Sequence, residues 1–307
     1  MANTTGTQSS MLVAASAAKF LQLLLADRTS LRGHPALVNA ASLGATYRGT
    51  GSYTANFALF GLDGYNTMTA TSEGSAPSET AITTALSQLT LARYTLYRTF
   101  TDDLAWIDST GQFNYTVLGR DGFGCALVTL TSLIAGLADN FVTQIGTTGV
   151  SFDHDLFLSG MGALQNAKVP GPYIALLALE HFTLWQQDLE SRAGVTQWRP
   201  ATAEMQNMMG PGFKGTYNNV DVFALDKLPS SSSDKVSCMF GRGAILYGEQ
   251  DAGDIGPAGF EVLRAGPILI EANRDGTKAL SGVITHYRVG VTIAEDARGV
   301  GMLAATS

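Results

Sequence analysis

Between Val283 and Ile293 the side chains alternate with a period of two. Val283, Thr285, Tyr287, Val289, Val291 and Ile293 fall on one side, and Ile284, His286, Arg288, Gly290 and Thr292 on the other. That period predicts a β-strand. "GPILIEANRD" ahead of it, closed by a turn at Asp275 and Gly276, predicts another. Far upstream, "LTLARYTLYRTFTDDLAWID" reads as a strand with Tyr94, Leu96 and Phe100 on one face, running into a turn or helix start at Thr101 to Asp103. After it Phe123, Leu127, Leu130, Ile134, Leu137, Phe141 and Ile145 recur at steps of three or four. This spacing predicts a helix over 121–146 with one continuous apolar stripe, roughly 39 Å long at the standard rise. The C-terminal strands are expected to pair with the strand around 89–101, against that helix.

Residues 151–264 have a different texture, expected to form a middle domain. "DHDLFLSGMGALQNA" predicts a short helix, "KVPGPY" a break and "IALLALEHFTLW" an apolar run. "MQNMMGPGFKGTYNNVDVFALDKLPSSSSDK" carries enough Gly, Pro, Asn and Ser to read as turn and loop, and "VSCMFGRGAILYG" as one more strand. Residues 45–87 are rich in Thr, Ser, Gly and aromatics, with Tyr47, Tyr53, Phe57 and Leu59 at even spacings, as on one side of an extended hairpin. A two-stranded projection with so little core is marginal in water, so it is expected to lie on another subunit. Residues 11–26 predict an amphipathic helix rather than a signal sequence, because no cation precedes them and Lys19 interrupts them. Gly33 and Pro35 end it. No other apolar run approaches the ~20 residues that span a bilayer, so no membrane is expected as a partner.

Composition changes this picture in two ways. Of 307 residues 45% are hydrophobic, enough for a large core, while only 15% are charged, against a usual ~25%. Surface covered by other copies would account for the scarcity, since interface cores are depleted in charge. The net charge is -7 with no basic block, which disfavours a dedicated nucleic-acid binder.

Candidate chemistry is thin. Cys125 and Cys238 are too few for a disulfide framework or a cysteine metal site, and fit a reducing cytoplasm. "LFLSGMG" around Ser159 lacks the first Gly of a nucleophile elbow. His154, His181 and His286 sit in dissimilar contexts and read as structural. Asp153 and Asp155 read as helix-start acids. Around Lys214, "GPGFKGTY" departs from the phosphate-cradle order, and no dinucleotide fingerprint is present. No catalytic residue, metal or cofactor is expected, and the chain reads as a structural protein rather than an enzyme.

In this order of parts the chain resembles the major capsid proteins of tailed bacteriophages, the Hong Kong 97 type fold that encapsulin shells also use. The resemblance rests on order and texture, including "VPGPYIALLALE", "FGRGAILYG" and the ending "HYRVGVTIAEDARGVGMLAATS". It implies an α+β fold with an N-terminal arm at 1–44 and an extended loop at 45–87. A peripheral domain at 88–150 and 265–307 would hold the spine helix 121–146, with an axial domain at 151–264. The closing strand would complete the peripheral domain.

The implied function is a shell of hexamers and pentamers around phage double-stranded DNA, without sequence-specific binding, in a virion assembled in the host cytoplasm. Tyr47, Tyr53, Phe57 and Phe60 would be intersubunit anchors. Lys19, Arg28 and Arg32 of the arm would face DNA or scaffold. The loop has no Lys for crosslinking, and only a short arm precedes it, so a separate scaffolding protein is expected, with a portal and a decoration protein as further partners. The alternatives are an encapsulin-type compartment with an enzyme cargo, a hydrolase using Ser159 or His154, and a tail-tube protein, which would not need the long helix.

Overall fold

The computed structural model describes residues 41–43, 54–60, 84–107, 115–192, 198–209, 212–231, 234–241, 243–249, 262–265, 268–275 and 279–306. After β1 (Ala41–Leu43), β2 (Thr54–Phe60) lies antiparallel to β3 (Thr84–Thr90), with Thr54 opposite Thr90 and Phe60 opposite Thr84. The expected hairpin is present, and only Leu91 separates β3 from β4 (Ala92–Thr101), so hairpin and sheet share nearly one strand. α1 (Asp102–Ile107) follows directly. Thr101 Oγ1 accepts the Leu104 N–H at 3.2 Å and two aspartates occupy the first turn, which is how a helix start is capped.

α2 (Tyr115–Gly136) is the long helix, continued by a 3-10 turn, Leu137–Asn140. Its 22 residues make it roughly 33 Å long rather than 39 Å. It begins before Asp121 and stops short of Gly146. Beyond Gly136 the apolar spacing persists for other reasons: Phe141 is buried where the chain turns, and Ile145 belongs to β5 (Gln144–Ser151).

α3 (His154–Asn166) starts as expected, with Asp153 accepting the Leu156 N–H at 2.8 Å. The apolar run that follows is two elements, β6 (Tyr173–Ala178) and α4 (Leu179–Ser191). The stretch read as loop is largely ordered: β7 (Arg199–Pro200) leads to α5 (Ala203–Met209), β8 (Phe213–Tyr217) and β9 (Val220–Leu225). Asn218 and Asn219, both at positive φ, close β8 and β9 into a tight hairpin, a geometry asparagine tolerates well. β10 (Ser230–Ser231) precedes β11 (Asp234–Gly241) and β12 (Ile245–Glu249), so "VSCMFGRGAILYG" supplies two strands, not one. β13 (Val262–Ala265), β14 (Ile268–Asp275), β15 (Leu280–Ile293), a 3-10 turn at Asp296–Arg298 and β16 (Gly299–Ala305) complete the described chain.

Among the described residues the strands form a six-stranded sheet, an eight-stranded sheet and the β2–β3 hairpin. In the first, β15 pairs along one edge with β14 and along the other with β4 and then β12, with Leu280 opposite Thr101 and Val289 opposite Ala92. The expected pairing of the C-terminal strand with 89–101 is therefore found. The second runs β5-β16-β11-β6-β9-β8-β7. Two expectations fail here. β12, inside 151–264, joins the first sheet, and the closing strand β16 joins the second, between β5 and β11, rather than completing the sheet that holds β15.

One core lies between the sheets and under α2: Ala126, Leu130 and Ile134 meet Val283, Tyr287 and Val289, and the same cluster continues through Ile174, Leu176, Phe223 and Phe240. A second packs α3 and α4 on the other face of the eight-stranded sheet through Phe157, Trp185, Ala175, Leu177 and Met302. Every residue of β6 is buried, because it is central and covered on both sides, which explains its unbroken apolar sequence.

Candidate functional site

A site for small-molecule chemistry would need converging reactive groups, and the described residues use theirs internally. His154 is buried. Trp185 Nε1 donates to its Nδ1 at 3.2 Å, and its Nε2 lies 3.0 Å from the Tyr217 hydroxyl. An indole only donates, so Nδ1 accepts and Nε2 carries the proton. Burial, then the nearby Arg192 charge, holds this imidazole below the ordinary histidine range.

His181 has a similar standing. Its Nε2 faces the Ala304 carbonyl at 3.0 Å and its Nδ1 the Ser237 hydroxyl at 2.7 Å, while Ser237 Oγ also accepts the Ala178 N–H at 3.0 Å. A serine paired with a histidine suggests a nucleophile and its base. Both are 0% exposed, however, and they stitch α4, β11 and β16 together without access for a substrate. Sequence reading found no orienting partners for these histidines because the partners are 31 to 123 positions away.

Ser159 is exposed and donates to the Asp155 carbonyl one turn back in its own helix, so it is not paired with His154. Asp155 and Asp188 both bind Arg192, clamping α3 to α4, and that guanidinium holds the Asp155 carboxyl below the usual range. Lys214 lies within strand β8, not in a cradle. Among the described residues no three His, Cys, Asp or Glu side chains are grouped to hold a metal ion.

What the fold presents instead is surface. The β2–β3 hairpin leaves the first sheet at a root where Leu89 and Leu91 are buried and Gln88 and Thr90 exposed. Gly290 of β15 lies under this root. A Cβ there would overlap the Thr90 carbonyl, so the close crossing requires glycine. Phe57 stands in register with Ser87 and Phe60 with Thr84, which puts them at positions of opposite parity on β2. Tyr47, Tyr53, Lys19, Arg28, Arg32 and the helix expected at 11–26 lie outside the described residues.

Apolar side chains are exposed on several elements: Val142 at 83%, Tyr97, Val128 and Val150 at 53%. The stretch Asp121–Asn140, with a mean hydropathy of 1.5, is also long and apolar enough to cross a membrane, contrary to the expectation that no such run exists. A core helix passes the same test. Here Leu130 and Ile134 are buried against the sheet and Asp121 is ion-paired with Arg98 of β4 at 2.9 Å, so α2 is a packed element of the fold. β5, at the edge of the eight-stranded sheet, is exposed at seven of its eight positions. The described residues thus include a half-covered helix and an exposed edge strand.

No protein-family model and no curated protein sequence matches the chain. Solved structures do. The capsid of Ralstonia phage GP4 superposes with a TM-score of 0.62 at 11% identity, over 88% of this chain and 87% of that one. The SrpI encapsulin from Synechococcus elongatus PCC 7942 gives 0.60 at 11% identity, over 87% and 85%. A structure from Mycobacterium phage Che8 gives 0.56 at 16% identity, over 85% and 88%. The chain has the α+β fold of these structures, the Hong Kong 97 type.

Proposed function

We propose that this chain is a major capsid protein, many copies of which close into an icosahedral shell around phage double-stranded DNA. The observation that carries this reading is likeness along almost the whole of both chains to a phage capsid and an encapsulin. Contacts between unlike patches on one subunit build rings when the rotation closes, and rings of five and six are what a curved shell requires. Each contact need bury only an ordinary area, around 1,600 Å², because a subunit held by several neighbours cannot leave by breaking one. In this reading the extended loop at 45–87 supplies reach, and Tyr47, Tyr53, Phe57 and Phe60 are its intersubunit anchors, because aromatics bury much area with few rotors to freeze.

The peripheral part in this reading is the α2 helix with the six-stranded sheet, and the axial part the eight-stranded sheet with α3 and α4. Residues 11–26 are assigned to a separate scaffolding protein, and a portal and a decoration protein complete the particle. Deleting residues 1–28 tests the scaffold assignment: shells should then fail to close at normal size, and normal shells would refute it.

A second reading has a specific observation behind it, since the encapsulin superposes as well as the phage capsids do. Purified particles separate the two by content. Expression alone and together with the neighbouring genes, followed by sedimentation and analysis of what the particles hold, should give shells that package double-stranded DNA when the phage genes are present. Shells that enclose only a protein cargo would favour the compartment, and a stable monomer in both preparations would refute both.

A further inference from the structure

α2 does not close completely on the six-stranded sheet. Where it faces Tyr94 of β4 and Thr285 and Tyr287 of β15, it presents Gly122, Cys125 and Ala126, none of them large, and a half-open cleft of about 170 Å³ is left between helix and sheet. A benzene-sized molecule needs about that volume. Farther along the helix, Leu130 and Ile134 fill the same gap. Gly122 is small by necessity, because a Cβ there would overlap the Thr285 hydroxyl.

Two groups on this cleft have chemistry the fold does not use. Thr285 is 4% exposed, and among the described residues its hydroxyl has no hydrogen-bond partner. The Tyr287 hydroxyl, by contrast, donates to Glu249 at 2.8 Å and that of Thr129 to the Cys125 carbonyl at 2.8 Å. A buried hydroxyl left unpaired is costly, and an occupant that bonds it relieves the cost. The second group is the Cys125 thiol, half-buried on the wall one helical turn from Gly122. Residues three apart on a helix stand about 5–6 Å apart at Cβ, so a short arm on the Cys125 sulfur reaches the Thr285 hydroxyl. Arg98 lies beside that sulfur with its charge taken up first by Asp121, at 2.9 Å, so this pair brings no net charge to the mouth. Cys238, the other cysteine of the chain, is 0% exposed and burial pushes its thiol up, which makes it an internal control.

We infer that the cleft between α2 and the β4–β15 pair binds a small uncharged molecule with one hydrogen-bonding end, and that a low-molecular-mass disulfide of this kind transfers one half onto Cys125. The inference goes beyond the shell reading and does not rest on it. The Cys125 sulfur, as thiolate, attacks one sulfur of the disulfide, whose S–S bond breaks as the new one forms. The other half leaves as a thiolate and takes up the proton that Cys125 released, so Cys125 is oxidised and the leaving half reduced. The transferred arm lies in the cleft with its polar end on Thr285.

Hydroxyethyl disulfide, whose halves are short, uncharged and end in a hydroxyl, is the probe, and dithiobisnitrobenzoate, bulky and anionic, is the comparison. With the purified full-length protein, mass spectrometry should show one adduct, on the peptide that carries Cys125 and not on that of Cys238. The rate with the first reagent relative to the second should exceed the same ratio for free glutathione by about tenfold or more. Thr285→Val should lower that ratio about fivefold and Thr285→Ser should retain it, with melting curves as the check on folding. Where Thr285→Val does not fold, the wild-type ratio decides. The adduct should also raise Tm, and a reductant should reverse the rise, because an occupant of the folded state stabilises it. A wild-type ratio equal to that of glutathione, or one unchanged in Thr285→Val, would mean an exposed thiol only and overturn the inference. So would equal reaction of both cysteines, no adduct short of unfolding, or an adduct that fails to raise Tm.

Discussion

His154 and His181 are kept neutral by burial and by partners that require a particular tautomer, which makes both of them proton-sensitive. The folded pKa of each is depressed while the unfolded chain takes protons at about 6.5. Below that value the unfolded state binds more protons than the folded one, so stability is complete above about pH 6.5 and falls as pH drops through it. Asp153, Asp155 and Asp188, which face His154, partly favour its charged form, and Arg192 opposes it. Thermal melts should show Tm falling between pH 7.5 and 5.5, and His154→Gln, which can still accept from Trp185, should flatten the slope. A Tm independent of pH over that range would contradict this account of the core. Gly299 is a second residue whose identity is fixed by contact, since a Cβ there would enter the edge of the buried Phe141 ring. Gly299→Ala should cost about 1–3 kcal/mol in urea unfolding, the range of overpacked cores; an unchanged midpoint would show that Phe141 can move aside.

At the scale of elements, what the sequence revealed depended on whether one face of the element was wet. β15 and β4 alternate because one side of each is a core, and both were legible. β6 is covered on both sides, so its apolar run merged with the start of α4 and the boundary was invisible. The β8–β9 hairpin was missed because its Gly, Pro and Asn were counted as loop, although "YNNV" is itself a two-residue turn signal. The helix end was misplaced because Phe141 and Ile145 keep a helical spacing while serving a turn and a strand. Of the candidate site residues, Phe57 and Phe60 lie on β2, whose pairing with β3 depends on register that no local pattern could show. The buried end of β3 and the loop it belongs to make separable predictions. Leu89→Ala removes a fully buried side chain and should destabilise the isolated subunit by about 2–5 kcal/mol. Phe57→Ala should leave the subunit's melting curve alone and reduce assembly; if it assembles normally, the anchor role of the loop is wrong.

Over the whole molecule the two sheets are tied by strands that cross between them. β5 and β16 flank each other in the eight-stranded sheet although they enclose the middle of the chain, and β11 and β12 pass from one sheet to the other across a short turn. Such crossings come from pairings about 155 residues apart, such as Gly301 with Gln144, which no window along the sequence can detect. They tie the two sheets to each other through the chain itself, and the low charge fraction is in keeping with the proposed self-assembly. The central claim is that copies of this subunit close on one another. Electron microscopy of the purified protein, expressed alone and then with its neighbouring genes, tests it directly. The account predicts closed icosahedral shells or rings of five and six in at least one preparation, with the hairpin of each subunit lying on its neighbour. Dispersed single subunits in both would contradict it.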